Sequence, residues 1–188
     1  MSMKRFFGHT MWTGFLGILL LCGGHASAAE LWVDIDTAKH TLYLMEGDKV
    51  VQVFEKIAIG KNGITSDKTV HDGKTPLGHY KIRWINDESR FHLFFGLDYP
   101  TPEHAATAFM EDRISATELE AIYRAHERGE EPSGSTDLGG SIGIHGVGHG
   151  DLRIHQNFDW TDGCVALTNE QIDELATRIG LGTVVIVR

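Results

Sequence analysis

The sequence predicts a mostly β (β+α) fold, with a helical insertion over about residues 100–130 and a helix near the C-terminus. Three observations predict it. Short segments between residues 31 and 59 alternate apolar and polar side chains and are separated by turn formers. The period changes to that of a helix between Pro102 and Arg128. A capped helical pattern returns at Thr168.

Leu31 to Ile35 and Thr41 to Leu44 alternate around the turn Asp36-Thr37-Ala38-Lys39, and Glu46-Gly47-Asp48-Lys49 makes the next turn before Val50 to Ile59. Short turns of this kind join antiparallel neighbours, so these are expected to be three successive antiparallel strands. Residues Gly60 to Gly73 form a polar loop, and His79 to Ile85 is a further strand. Pro102 to Asp112 and Ser115 to Arg128 are expected helices. The second opens on Ser115-Ala116-Thr117-Glu118, a capping box that feeds an apolar stripe of Leu119, Ile122 and Tyr123. Gly129 to Gly140 is a loop, Thr168 to Ile179 a helix ended by Gly180, and Gly182 to Val187 the closing strand.

Residues 1–28 are expected to be a signal peptide rather than part of this fold. Lys4 and Arg5 precede an apolar run from Met11 to Cys22, and Ala26-Ser27-Ala28 supplies small residues for cleavage. The run is shorter than the roughly 20 residues a membrane span needs, so no stable span is expected after cleavage. Residues 29–188 then form one exported domain, periplasmic or otherwise in the cell envelope. Removal of Lys4 and Arg5 would take the formal charge from -9 to about -11. So acidic a chain has no general affinity for nucleic acid or for an anionic membrane surface. The composition, 41% apolar and 23% charged, fits a globular domain with a real core.

Cleavage also removes Cys22 and leaves Cys164 as the lone cysteine. A single thiol cannot form an internal disulfide, and in an oxidising compartment its presence asks for a chemical reason. The chemistry gathers in Ile144 to Asn169, which holds His145, His149, His155 and Cys164. A cysteine nucleophile needs an imidazole partner and backbone N–H donors for an oxyanion. Gly163 lets the backbone approach a substrate carbonyl, so the N–H groups of Gly163 and Cys164 are expected oxyanion donors. Four ligands for zinc, His145, His149, His155 and Cys164, are an alternative reading. The glycines at 146, 148 and 150 oppose the helix that would bring His145 and His149 onto one face.

Ile144-His145-Gly146 and Thr161-Asp162-Gly163-Cys164-Val165 resemble the motif of the L,D-transpeptidase catalytic domain, also called YkuD: His-Gly, a spacer, then Ser/Thr-x-Gly-Cys and an apolar residue. Asp72-Gly73-Lys74-Thr75-Pro76-Leu77-Gly78-His79-Tyr80-Lys81-Ile82 is similar to a second segment of that family, and the resemblance spans about Glu30 to Arg188. It implies an antiparallel β-sandwich or barrel-like sheet with an appended helix. Cys164 is then the nucleophile and His145 the general base, with the Gly146 carbonyl orienting the base. Thr161 either binds substrate or supports the turn, and His155 competes with His145 as base. The implied chemistry is cofactor-free and metal-free acyl transfer on peptidoglycan stem peptides through a thioester.

Two positions depart from the family pattern. Ala166 stands where many members place Arg or Asn, and Asp162 where His, Lys or Arg is common. An acid beside the thiol disfavours a thiolate unless its side chain points away. Phe158 to Cys164 instead resembles a subgroup that includes the YafK-like proteins, which implies hydrolysis of peptidoglycan or peptidoglycan–lipoprotein links as an alternative to transpeptidation. Trp160 and Phe158 are expected to pack in the core, with lining of a substrate groove as the alternative, and His149 to lie on the surface. A preformed Cys164–His145 ion pair would give the thiol a pKa below the free value of about 8.5, whereas concerted base-assisted attack would not.

Overall fold

The structure, a computed structural model, describes Met1 and residues 30–188. The expected leader and its cleavage site after Ala28 lie outside the described residues. The chain forms β1 (Leu31–Asp36), β2 (Thr41–Glu46), β3 (Lys49–Glu55), β4 (Ile64–Thr65), β5 (Thr75–Pro76), β6 (Gly78–Ser89) and β7 (His92–Leu97). Two helices follow, α1 (Pro102–Met110) and α2 (Ala116–Arg128), then β8 (Gly143–His145), α3 (Leu152–Asn157), β9 (Val165–Ala166), α4 (Asn169–Ala176) and β10 (Val184–Val187). Among the described residues no helix is long and apolar enough to cross a membrane.

Eight strands make one sheet in the order β3-β2-β1-β10-β6-β7-β8-β9, and β4 and β5 form a separate parallel pair. The mostly β class holds. The sheet, however, is mixed rather than purely antiparallel, because β1 runs parallel to β10 and β8 parallel to β9. The first parallel pair arises where the C-terminal strand inserts between β1 and β6. Alternation explains the core: Val33, Ile35, Leu42, Leu44, Tyr80, Ile82 and Val185 are buried on the covered face of their strands.

The capping signals work as chemistry requires. Ser115 Oγ accepts from the Glu118 N–H at 3.3 Å, and Glu118 Oε2 accepts from the Ser115 N–H at 2.7 Å. Thr168 and Gln171 make the same reciprocal pair at the start of α4. In α2, Ile122 is buried and Leu119 packs against the core, but Tyr123 is exposed.

One departure from expectation builds the site. The strand expected over Val50 to Ile59 stops at Glu55, because Lys56 takes a positive φ of 60°. The chain then crosses to the other end of the sheet. The Ala58 N–H donates to the Ala166 carbonyl at 3.0 Å, and the Thr161 N–H donates to the Ile59 carbonyl at 3.1 Å. Residues 58–61 therefore brace the Cys164 loop from both sides.

Candidate active site

Cys164 precedes the short β9, which lies beside β8; the register places Ile144 opposite Val165 and His145 opposite Ala166. Both Cys164 and His145 line one groove of about 690 Å³. Aromatic side chains shape it. Trp84 and Phe94 stack with ring centroids 4.8 Å apart. Phe91 stacks on the His145 ring at 4.2 Å, and Trp160 meets that ring edge-on at 5.8 Å. Gly96 makes room for this wall, since a Cβ there would fall inside the Trp84 indole.

His145 is almost fully buried, and its Nδ1 lies 2.7 Å from the Gly146 carbonyl oxygen. A carbonyl can only accept, so Nδ1 carries the proton and Nε2 is the basic atom of the neutral ring. Burial pushes the imidazole pKa down to about 4, against the smaller opposing effect of that hydrogen bond. Burial also pushes the Cys164 thiol up to about 11, with the Lys68 ammonium among the groups that oppose the rise. Both shifts favour the neutral forms at neutral pH, which suits concerted base-assisted attack rather than a preformed ion pair, the two alternatives that the sequence leaves open. Burial disfavours both charged forms. The thiol's hydrogen bond runs to the Ser141 carbonyl at 3.5 Å.

The turn before the thiol is held by Thr161. Its hydroxyl donates to the Cys164 carbonyl at 2.7 Å and accepts from the Gly163 N–H at 3.1 Å. That geometry makes Thr161 a support of the turn. It also commits the Gly163 N–H, expected as an oxyanion donor, to the turn itself. Gly163 has a φ of 135°, a conformation that side chains rarely adopt. Asp162 projects outward, its side chain 84% exposed, and pairs with Lys61 Nζ at 2.6 Å. The hydrogen bond from Lys61 is the main reason its carboxyl stays below the usual range. Ala166 is fully buried in the strand pairing, where a long side chain would find no room.

The other histidines lie elsewhere. His155 is buried behind Trp160, whose indole N–H donates to its Nδ1 at 3.4 Å, and it does not line the groove. His149 is exposed, as expected. Among the described residues no three His, Cys, Asp or Glu side chains form a group that could hold a metal ion. Asn169 fixes the loop after His145 by a reciprocal pair with Gly148, its Oδ1 accepting at 2.8 Å and its Nδ2 donating at 3.0 Å. Phe158 is 68% exposed, so it does not fill the core as expected, and Trp160 faces the groove, the alternative that the sequence left open. Sequence reasoning also missed Trp84, Arg90, Phe91 and Phe94, which the β6–β7 hairpin delivers to the groove.

The family model of the L,D-transpeptidase catalytic domain, YkuD, matches residues 30–187. The chain belongs to this family. Its domain is therefore an enzyme domain of the L,D-transpeptidase type. No curated protein matches the chain by sequence. Among solved structures, Bd1075 of Bdellovibrio bacteriovorus is similar at 18% identity and a TM-score of 0.55, over 86% of this chain and 48% of that one. The helical cell shape determining protein Pgp2 of Campylobacter jejuni is similar at 18% identity and a TM-score of 0.54, over 86% of this chain and 49% of its own. The chain spans about half the length of these two proteins, and at such identity they speak for the fold alone.

Proposed function

We propose that this protein is an exported cysteine acyltransferase that acts on peptidoglycan stem peptides by L,D-transpeptidation, with Cys164 as nucleophile and His145 as general base. The observation that carries the reading is the groove itself. It brings one thiol and one imidazole together, and the Gly146 carbonyl pins the imidazole so that Nε2 is its basic atom. Two neutral partners suit attack in which the proton leaves the thiol as the carbon–sulfur bond forms.

The steps follow from those groups. Cys164 Sγ attacks the carbonyl of an L-residue joined to a D-centre, and its proton passes to His145 Nε2. The tetrahedral oxyanion is met by the Cys164 N–H. Collapse breaks the amide bond, the departing amine takes the proton from His145, and a thioester remains. An acceptor amine then attacks the thioester, gives its proton to His145, and leaves as a new amide while the thiol is restored. Arg90 is the fixed cation lining the groove and suits a carboxylate of the donor peptide. Glu88, which also lines it, suits an ammonium-bearing acceptor and favours transfer over hydrolysis. Water in place of the amine would make the same site an L,D-carboxypeptidase or endopeptidase, with a wall-linked lipoprotein as a further substrate.

Purified protein incubated with defined muropeptides tests this, with products read by mass spectrometry with and without an added amine. Wild type should release a D-amino acid and form the amine adduct, unaffected by chelators. Cys164→Ala should form neither product. Full turnover by that variant would refute the thiol mechanism, and hydrolysis alone in the presence of amine would refute transfer.

A further inference from the structure

Behind the nucleophile turn lies a buried charge that the mechanism above does not use. Lys68 sits in the loop between β4 and β5, and its side chain is only 4% exposed. Its Nζ donates to Asp72 Oδ1 at 2.6 Å, to the Lys74 carbonyl at 2.9 Å and to the Asp162 carbonyl at 3.4 Å. All three N–H donors of the ammonium therefore have partners, and one of them is the backbone of the turn that carries Cys164. A Cβ on Gly163 would stand 3.1 Å from this Nζ, so the cation lies against the residue next to the thiol. Burying an ammonium is costly unless it is paired and hydrogen-bonded, and this loop meets both conditions.

The surrounding charges set the sign of the field at the thiol. Asp72 is the counter-ion; its Oδ1 also accepts from the Lys74 N–H, and its Oδ2 from the Thr69 N–H. Asp162 points to solvent and is paired with Lys61, with His71 near it as well, and its charge opposes that of Lys68 at the thiol but more weakly. Arg113 touches the Lys68 carbonyl rather than its ammonium. On the other side of the thiol, His145 is neutral. Lys68 is thus a buried cation set against the residue next to the place where negative charge must develop.

We propose that Lys68 is a positioning residue for Cys164: its ammonium ties the Asp162–Gly163 backbone from behind and favours the charge that forms on sulfur and in the oxyanion. This rests on the thiol mechanism above. A fixed positive charge held by buried partners needs no reorganisation during reaction, which is where such groups act most strongly. It also supplies positive charge where the outward-facing Asp162 and the buried Ala166 supply none.

The test is alkylation of Cys164 by iodoacetamide as a function of pH, resolved by mass spectrometry of the peptide that carries it, alongside melting temperature. Lys68→Met should raise the apparent thiol pKa and slow alkylation by about tenfold, the equivalent of one pKa unit. Asp72→Asn removes the counter-charge and should move the pKa the opposite way and speed alkylation. Opposite responses are what a merely structural tie does not give. If Lys68→Met fails to fold, Asp72→Asn decides alone, and an unchanged or raised pKa overturns the proposal. Equal slowing in both variants, no change in either, or loss of the fold in both assigns Lys68 to structure and overturns it too. Alkylation needs no substrate, so its outcome is separate from that of the muropeptide assay.

Discussion

Acidification should reveal His145 as a source of instability. Its pKa falls from an ordinary 6.5 to about 4 because burial penalises the imidazolium. The unfolded chain therefore binds more protons than the folded one between those values, and stability falls as pH falls through that window. The penalty is small above 6.5, grows to about 1 kcal/mol by about pH 5.5, and reaches about 3 kcal/mol by pH 4, where it begins to level off. Acid residues held below their usual range, such as Asp72 and Asp36, lose stability at lower pH and are common to any His145 variant. Urea unfolding followed by tryptophan fluorescence at about pH 7.5 and about pH 5.5 should thus show wild type losing about 1 kcal/mol more than His145→Gln. Equal losses in the two proteins would mean that the imidazole is solvated in the fold, and the neutral pair inferred here would fail with it. If His145 is the base, the acid limb of kcat/KM should fall near the same pKa of about 4.

Two further substitutions probe how the groove is held. Thr161→Val leaves the Gly163 N–H without its acceptor in a buried turn, and should cost about 1–3 kcal/mol in a denaturation midpoint experiment while lowering turnover; Thr161→Ser should restore both. Gly96→Ala pushes a Cβ into the Trp84 indole, and should destabilise by about 1–3 kcal/mol and raise KM as the groove wall shifts; an unchanged KM would mean that Trp84 does not contact substrate.

The parts of the site that were legible in the sequence are those close together along the chain. His145, Thr161, Gly163 and Cys164 fall within twenty residues, and each residue type carries its own chemical signature. The aromatic wall carries no such signature. Phe94, Phe95, Gly96 and Leu97 are all buried, so β7 shows no alternation and reads as an undifferentiated apolar run. β8 and β9 have three and two residues, which pairing rather than propensity defines. The break at Lys56 is a backbone event in an otherwise strand-like stretch, and it is that break which brings Ala58 and Ile59 to the nucleophile loop.

Cys164 has neighbours that look unsuited to thiol chemistry on a sequence basis, and the structure resolves part of that conflict. Asp162 projects to solvent and is occupied by Lys61, and its charge acts on the thiol less strongly than the opposing charge of Lys68. Ala166 is small because its strand is pinned between Ala58 and His145, which removes the position as a source of a cation. Positive charge reaches the groove instead from residues far along the chain: Arg90 at the rim and Lys68 behind the turn. A neutral thiol and a neutral imidazole contribute little to reactivity in the resting protein, so the rate must come from groups that act as charge develops. The arrangement of those two cations is therefore where differences in rate among variants of this site should be largest.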